Sequence, residues 1–335
     1  MKKSTFCLKS IIAETKRIVI IMHARPDGDA LGASLGLAKL LKKVRHQVAV
    51  ISPTIYPAFL DWLPGTDSLI IAEDEQEAKM GRLFSEAELI FCVDFSTLSR
   101  INGLAKWVHN ATATKVIIDH HPDLEPFADI LFWDTKAAAS AELVYQLIEK
   151  LDEKALIDED IANCLYTGIV TDTNSFKNPN TTSSTLRVAA SLIELGANPS
   201  NVNRLIYDNN SLDRLQFISF AISQRLVVLP EQHTAYFVIQ KEDYKRYHLQ
   251  SGDTEGLVNY ALSLQGVFFA ALLKEKEGLV HLSLRSISDF AVNTFAKKNF
   301  NGGGHKNAAG GISALTLAET VDKFEQLVKN SKVHF

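Results

Sequence analysis

Residues able to hold divalent cations gather at four places along the chain: His23, Asp27 and Asp29 in His23-Ala24-Arg25-Pro26-Asp27-Gly28-Asp29, then Asp94, then Asp119-His120-His121, then Asp172. Each follows an apolar run. Carboxylates crowded at the ends of adjacent buried segments repel one another strongly, and they stay ionised together only if cations balance them. Two divalent ions would offset four such charges. A mixed carboxylate and imidazole set without Cys suits two Mn²⁺ ions, with Mg²⁺ or Co²⁺ as alternatives, better than a closed zinc site.

Each motif also has a plainer reading. His23 to Asp29 could be a polar turn in which Asp29 caps a helix beginning at Ala30, with Gly28 easing the bend. Asp94 could be a cap, and Asp172 an N-cap for a loop. Adjacent histidines after the buried run Val116-Ile117-Ile118 have little packing purpose. The four motifs together argue for one two-metal site.

Positioning these residues requires buried strands. Ile18–Met22, Val48–Ser52, Leu89–Val93 and Val116–Ile118 read as strands with apolar runs too continuous for half-exposed β-structure, and Leu31–Lys43 reads as a helix. The alternation predicts an α/β fold with a parallel sheet covered on both faces, its chemistry at the carboxyl ends of the strands. Helical patterns follow at Ala138–Leu151, Asp158–Val170 and Ser183–Glu194, and Leu195-Gly196-Ala197-Asn198-Pro199 is a helix stop. A connecting helix is expected at Ser211–Gln224. After Pro230, strands near Ala235–Ile239, Val267–Leu273 and Leu279–Arg285, a glycine-rich turn and a final helix make a smaller α/β or α+β unit. The division is thus 1–195, a helical linker 196–229, and 230–335.

With the motifs in this order the sequence resembles the DHH phosphoesterase superfamily, whose name matches Asp119-His120-His121, over nearly the whole chain. The resemblance implies that His23 and Asp27 hold one metal, that Asp29, His120 and Asp172 hold the second, and that Asp94 bridges both. It implies that His121 contacts the scissile phosphate and that Asp119 supports the centre from outside the ligand set. Asn301-Gly302-Gly303-Gly304-His305 resembles the glycine-rich loop of the DHH-associated C-terminal domain. That loop is expected to offer backbone N–H groups at a helix N-terminus, with His305 and Arg285 as further partners for an anion, and the active site in the cleft between the two domains. Phe176 could stack on a base or simply pack. Asn174 and Lys177 stand where relatives commonly have Gly and Arg.

The resemblance implies a nano-RNase and phosphatase: hydrolysis of short RNA oligonucleotides and linear dinucleotides such as pApA, and removal of the 3′-phosphate of phosphoadenosine phosphate. Cyclic dinucleotide phosphodiesterase, exopolyphosphatase or pyrophosphatase, and a non-catalytic nucleotide sensor are the competing readings. Composition bears on the rest. A net charge of −4 over 335 residues argues against long duplex nucleic acid as a partner. Hydrophobic content of 46% with 22% charged residues, and no apolar run long enough to span a bilayer, predicts a soluble, cytoplasmic protein with no membrane partner. Three cysteines without paired spacing predict no disulfide framework, with Cys92 a buried strand residue. The resemblance also allows a homodimer.

Overall fold

The computed structural model describes residues 5–250, 252–276, 278–287 and 289–331. The chain packs as two units, 1–209 and 210–335.

In the first unit, β1 (Arg17–Ile21), β2 (Gln47–Ser52), β3 (Ile70–Ile71), β4 (Leu89–Val93), β5 (Thr114–Asp119) and β6 (Ile130–Trp133) form a six-stranded sheet in the order β3-β2-β1-β4-β5-β6. All five pairings are parallel. β4 is buried along its whole length because helices cover both faces, which explains the unbroken apolar run Leu89-Ile90-Phe91-Cys92-Val93. Cys92 is fully buried there. The edge strands β3 and β6 escape sequence reading because they are short, and β6 is only half-buried at Leu131 and Trp133.

This order reverses direction between β1 and β4, a switch point where neighbouring crossovers leave on opposite faces and open a crevice at the carboxyl ends. Residues directly after β1 and β4 therefore project into one crevice, joined by those ending β5.

The helices Gly28–Lys43 and Glu159–Asp172 run antiparallel in close contact. Gly28, Gly32 and Gly36 make a ridge without side chains against Thr171, Cys164, Gly168 and Leu165. A Cβ on Gly32 would stand 2.3 Å from the Cys164 carbonyl oxygen, and one on Gly168 would stand 2.7 Å from Asp29 Oδ1. The glycines let the helices touch backbone to backbone, which carries Asp172, the last residue of one helix, beside the first turn of the other.

The second unit is built on a mixed sheet. β7 (Leu226–Leu229), β8 (Thr234–Ile239), β9 (Phe269–Lys276), β10 (Leu279–Ser286), β11 (Gly303–His305) and β12 (Ala308–Ser313) take the order β11-β12-β10-β9-β8-β7. Among the described residues, only β8 and β9 pair in parallel. Alternation along β9 sorts its side chains: Phe269, Ala271 and Leu273 pack with Phe295, Phe300 and Phe324, whereas Ala270 and Leu272 pack with Phe217 and Phe237. β7 and the helix Leu212–Gln224 belong to this unit. No helix among the described residues is long and apolar enough to cross a membrane.

Candidate metal centre

The loop after β1 is shaped by its own carboxylates. Asp27 has extended backbone and is the N-cap of Gly28–Lys43, its Oδ1 accepting from the N–H groups of Asp29 and Ala30 at 3.0 Å each. The capping residue is thus Asp27 and not Asp29, and the helix begins at Gly28. Asp29, in the first turn, is freed to point inward, where it is buried.

His23 follows β1 and is buried; its Nδ1 lies 2.9 Å from the Ala24 carbonyl oxygen. A carbonyl can only accept, so Nδ1 carries the proton and Nε2 offers its lone pair. That Nε2 is buried without a hydrogen-bond partner, 3.2 Å from Asp94 Oδ2 and 3.9 Å from Asp27 Oδ1. His120 is held in the same way, Nδ1 lying 3.1 Å from the Ala137 carbonyl oxygen. Its Nε2 is 3.8 Å from Asp29 Oδ2, 3.6 Å from Asp94 Oδ1 and 3.4 Å from Asp172 Oδ2.

Among the described residues, two groupings of potential ligands share no member. Donor atoms of His23, Asp27 and Asp94 lie within 4.8 Å of one another, and so do those of Asp29, His120 and Asp172. Asp94 faces the first set with Oδ2 and the second with Oδ1. Its backbone φ of +62° lies in the left-handed region, a conformation that Asp tolerates better than most residues and that recurs at functional sites. Asp119 closes β5, fully buried, with Oδ1 2.7 Å from His121 Nδ1, and Trp133 Nε1 donates to the His121 carbonyl oxygen at 2.7 Å.

The electrostatics fit a cation centre. Burial, reinforced by the charges of Asp94, Asp172 and Asp27, pushes the Asp29 carboxyl well above its ordinary range. Asp94 moves the other way: burial opposes ionisation, but His23, 3.2 Å away, and the nearby His121 and His120 hold it ionised. His23 and His120 are raised despite burial, His23 chiefly by the adjacent Asp94 and His120 by Asp172 and Asp94. Carboxylates this crowded call for positive charge, and oxygen and imidazole donors without sulfur suit hard or borderline divalent ions.

In the second unit, Arg285 on β10 pairs with Ala308, which pairs in turn with His305 on β11. Residues in one cross-strand row share a face, so Arg285 and His305 emerge together on either side of Ala308. Arg285 is half-buried. The expectation of a glycine loop at a helix N-terminus is corrected: Gly302, Gly303 and Gly304 follow the carboxyl end of the helix Val292–Asn299 and lead into or form the edge strand β11. The reason is steric, since a Cβ on Gly302 would stand 2.0 Å from the Gly310 carbonyl oxygen, and Gly304 has φ +133°. Phe176 is half-buried and packs on the core, its ring 6.2 Å from that of Tyr166.

Sequence reading passed over the glycine ridge and the stretch Ala137 to Glu142. The spacing Gly28-x₃-Gly32-x₃-Gly36 was the available signal for the ridge; no short motif marks the stretch.

Residues 17–169 match the family model described as DHH family, N-terminal domain, and residues 234–331 match the DHHA1 domain. A bifunctional oligoribonuclease and PAP phosphatase of Thermus thermophilus is 31% identical over 321 residues, covering 93% of this chain and 89% of that protein. A protein of the same description from Bacillus subtilis is 28% identical over 294 residues, 88% of each chain. The crystal structure of an exopolyphosphatase-related protein from Bacteroides fragilis is 33% identical and superposes with a TM-score of 0.92, covering 97% of this chain and 95% of that one.

Proposed function

The chain belongs to the DHH family of metal-dependent phosphoesterases, and from that premise we propose that it hydrolyses short oligoribonucleotides and pApA to nucleoside monophosphates and removes the 3′-phosphate of phosphoadenosine phosphate. The observation that carries this reading is the pair of ligand sets sharing Asp94, one carboxylate oxygen towards each. The substrate class is drawn from the relatives described as oligoribonuclease and PAP phosphatase.

In this proposal His23, Asp27 and Asp94 hold one divalent ion and Asp29, His120, Asp172 and Asp94 the other, Mn²⁺ being the ion that suits the donors best. Bound there, such ions would lower the pKa of a water so that hydroxide is available near neutral pH, and would supply positive charge for the phosphoryl oxygens. His121, held through Nδ1 by Asp119, serves the scissile phosphate with its other nitrogen, as hydrogen-bond partner or as proton donor to the leaving oxygen. Arg285, His305 and the backbone of Gly302 to Gly304 bind a further phosphate of the substrate, which restricts the enzyme to short molecules. The reading places the protein in the cytoplasm, where these substrates arise.

Product analysis tests it. Purified protein with Mn²⁺ is given short RNA, pApA, phosphoadenosine phosphate, cyclic-di-AMP, polyphosphate and pyrophosphate in parallel. AMP from pApA and from phosphoadenosine phosphate, with the last three substrates spared, is the expected outcome. Turnover of polyphosphate or pyrophosphate alone would overturn the proposal, and nucleotide binding without turnover would replace it with a sensor.

A further inference from the structure

Ser140 lies outside the ligand sets and touches two of their members. Its hydroxyl donates to Asp94 Oδ1 at 2.8 Å, and its backbone N–H donates to Asp29 Oδ2 at 2.6 Å, while the Ala141 N–H donates to Asp29 Oδ1 at 2.9 Å. Ser140, Asp29 and Asp94 are all buried, so the contacts are shielded from water. An ionised carboxylate only accepts, which fixes the direction of the hydroxyl bond.

The position of Ser140 in its helix leaves that hydroxyl available. The N-cap of Ser140–Lys150 is Ala139, with no side-chain cap bond, so Ser140 sits one residue inside, and its N–H is one of the first-turn donors that lack a partner within a helix. Asp29 accepts it from outside. The segment is held from behind: Glu142 Oε2, itself buried, accepts from the Ala138 N–H at 3.1 Å and from Thr185 Oγ1 at 2.9 Å, and Asn180 Nδ2 donates to the Ala138 carbonyl oxygen at 3.0 Å. The Ala137 carbonyl orients His120. Residues 137 to 142 thus form a bracket that sets one imidazole and two carboxylates of the centre.

A carboxylate turns broadly about its last side-chain torsion unless something pins it. For Asp94 that rotation matters, because Oδ2 faces His23 and Oδ1 faces His120. We propose that Ser140 is a positioning residue whose hydroxyl pins Asp94 Oδ1 towards the set of Asp29, His120 and Asp172, so that one carboxylate spans both sets. The inference rests on the two-cation reading of the site.

The test is a Mn²⁺ titration of metal-free protein, followed by calorimetry and by electron paramagnetic resonance, on wild type, Ser140→Ala and Ser140→Thr. Wild type is expected to take up two ions and to give the spectrum of an exchange-coupled pair. In S140A one ion should bind as before, the other about 10-fold or more weakly, in line with the loss of a partner to a metal-binding group, and the coupled spectrum should disappear. S140T keeps the hydroxyl and should restore both. Each variant is first required to give a single cooperative thermal transition without metal; should S140A fail, Ser140→Gly removes the hydroxyl without adding bulk. Unchanged affinities and an intact coupled spectrum in S140A would overturn the proposal, as would equal impairment in S140T, which would assign the effect to volume. Failure of wild type to bind two ions would instead overturn the two-cation reading itself.

Discussion

Asp119 Oδ1 lies 2.7 Å from His121 Nδ1, at the bottom of the crevice where β5 ends. Because the carboxylate accepts, Nδ1 carries a proton and Nε2 is left to serve the substrate, as a donor when the ring is doubly protonated. Burial disfavours the Asp119 charge, but the hydrogen bond and charge of His121 outweigh it and lower the carboxyl below its usual range. Asp119→Ala should therefore lower kcat on pApA by about 10- to 100-fold with KM little changed, since the residue orients a group without touching substrate. A kcat equal to wild type would remove Asp119 from the catalytic account.

In the proposed centre Asp94 serves both ligand sets, one oxygen facing His23 and the other His120. Asp94→Asn keeps the shape and a residue type that accepts positive φ while removing the charge, so the fold should survive. Turnover should fall by more than the roughly 100-fold typical of a partner that only orients a ligand. Chelation of wild type should abolish activity, and Mn²⁺ should restore it. Retention of most metal-dependent turnover in D94N would refute the shared role.

The glycine ridge makes a prediction about stability. Gly32→Ala places a Cβ 2.3 Å from a backbone oxygen that cannot yield, whereas on Gly36 the Cβ meets the Leu165 side chain at 2.8 Å, which can rotate. G32A should cost about 1–3 kcal/mol through overpacking, and G36A less. Because the two helices carry Asp29 and Asp172, G32A should also weaken cation binding. Thermal unfolding with and without Mn²⁺ reads both effects, and equal melting of G32A and wild type would contradict the backbone-to-backbone packing.

For the second unit, Arg285→Ala and His305→Ala should mainly raise KM for phosphoadenosine phosphate and pApA, leaving kcat closer to wild type. Unchanged KM in both variants on substrates with two phosphates would take that face out of substrate binding.

His46 provides a pH test far from the chemistry. It is buried, its Nδ1 accepts the Lys16 N–H at 3.1 Å, and its Nε2 has no hydrogen-bond partner. Burial, with the Lys16 charge second, lowers its pKa below 6.5. Above pH 6.5 the ring is neutral in folded and unfolded chains alike; as pH falls below that value the unfolded chain takes up a proton that the fold resists. Stability should decline there by at most about 1.4 kcal/mol per pH unit from this group. His46→Asn should flatten the decline between denaturation curves taken at pH 7 and below 6.5; an unaltered slope would show that other groups set it.

The sequence by itself determined much of the first unit. Short continuous apolar runs alternating with helical patterns read as buried parallel strands, and strand ends rich in Asp and His mark the chemistry, so the candidate cation ligands and the class of reaction were legible residue by residue. Other features follow from the tertiary structure alone. Strand order placed β1, β4 and β5 side by side, and no local pattern encodes which strand neighbours which. The cap at Asp27, and with it the inward turn of Asp29, depends on where the helix begins, one or two residues beyond what periodicity resolves. Consecutive glycines at 302 to 304 suit either an anion or a close backbone, and only the tertiary structure shows that they lead into an edge strand packed on β12 and not into a helix N-terminus. Ser140 carries no signal at all: its role arises because an ordinary first-turn serine is brought 2.8 Å from a carboxylate 46 residues away in the chain.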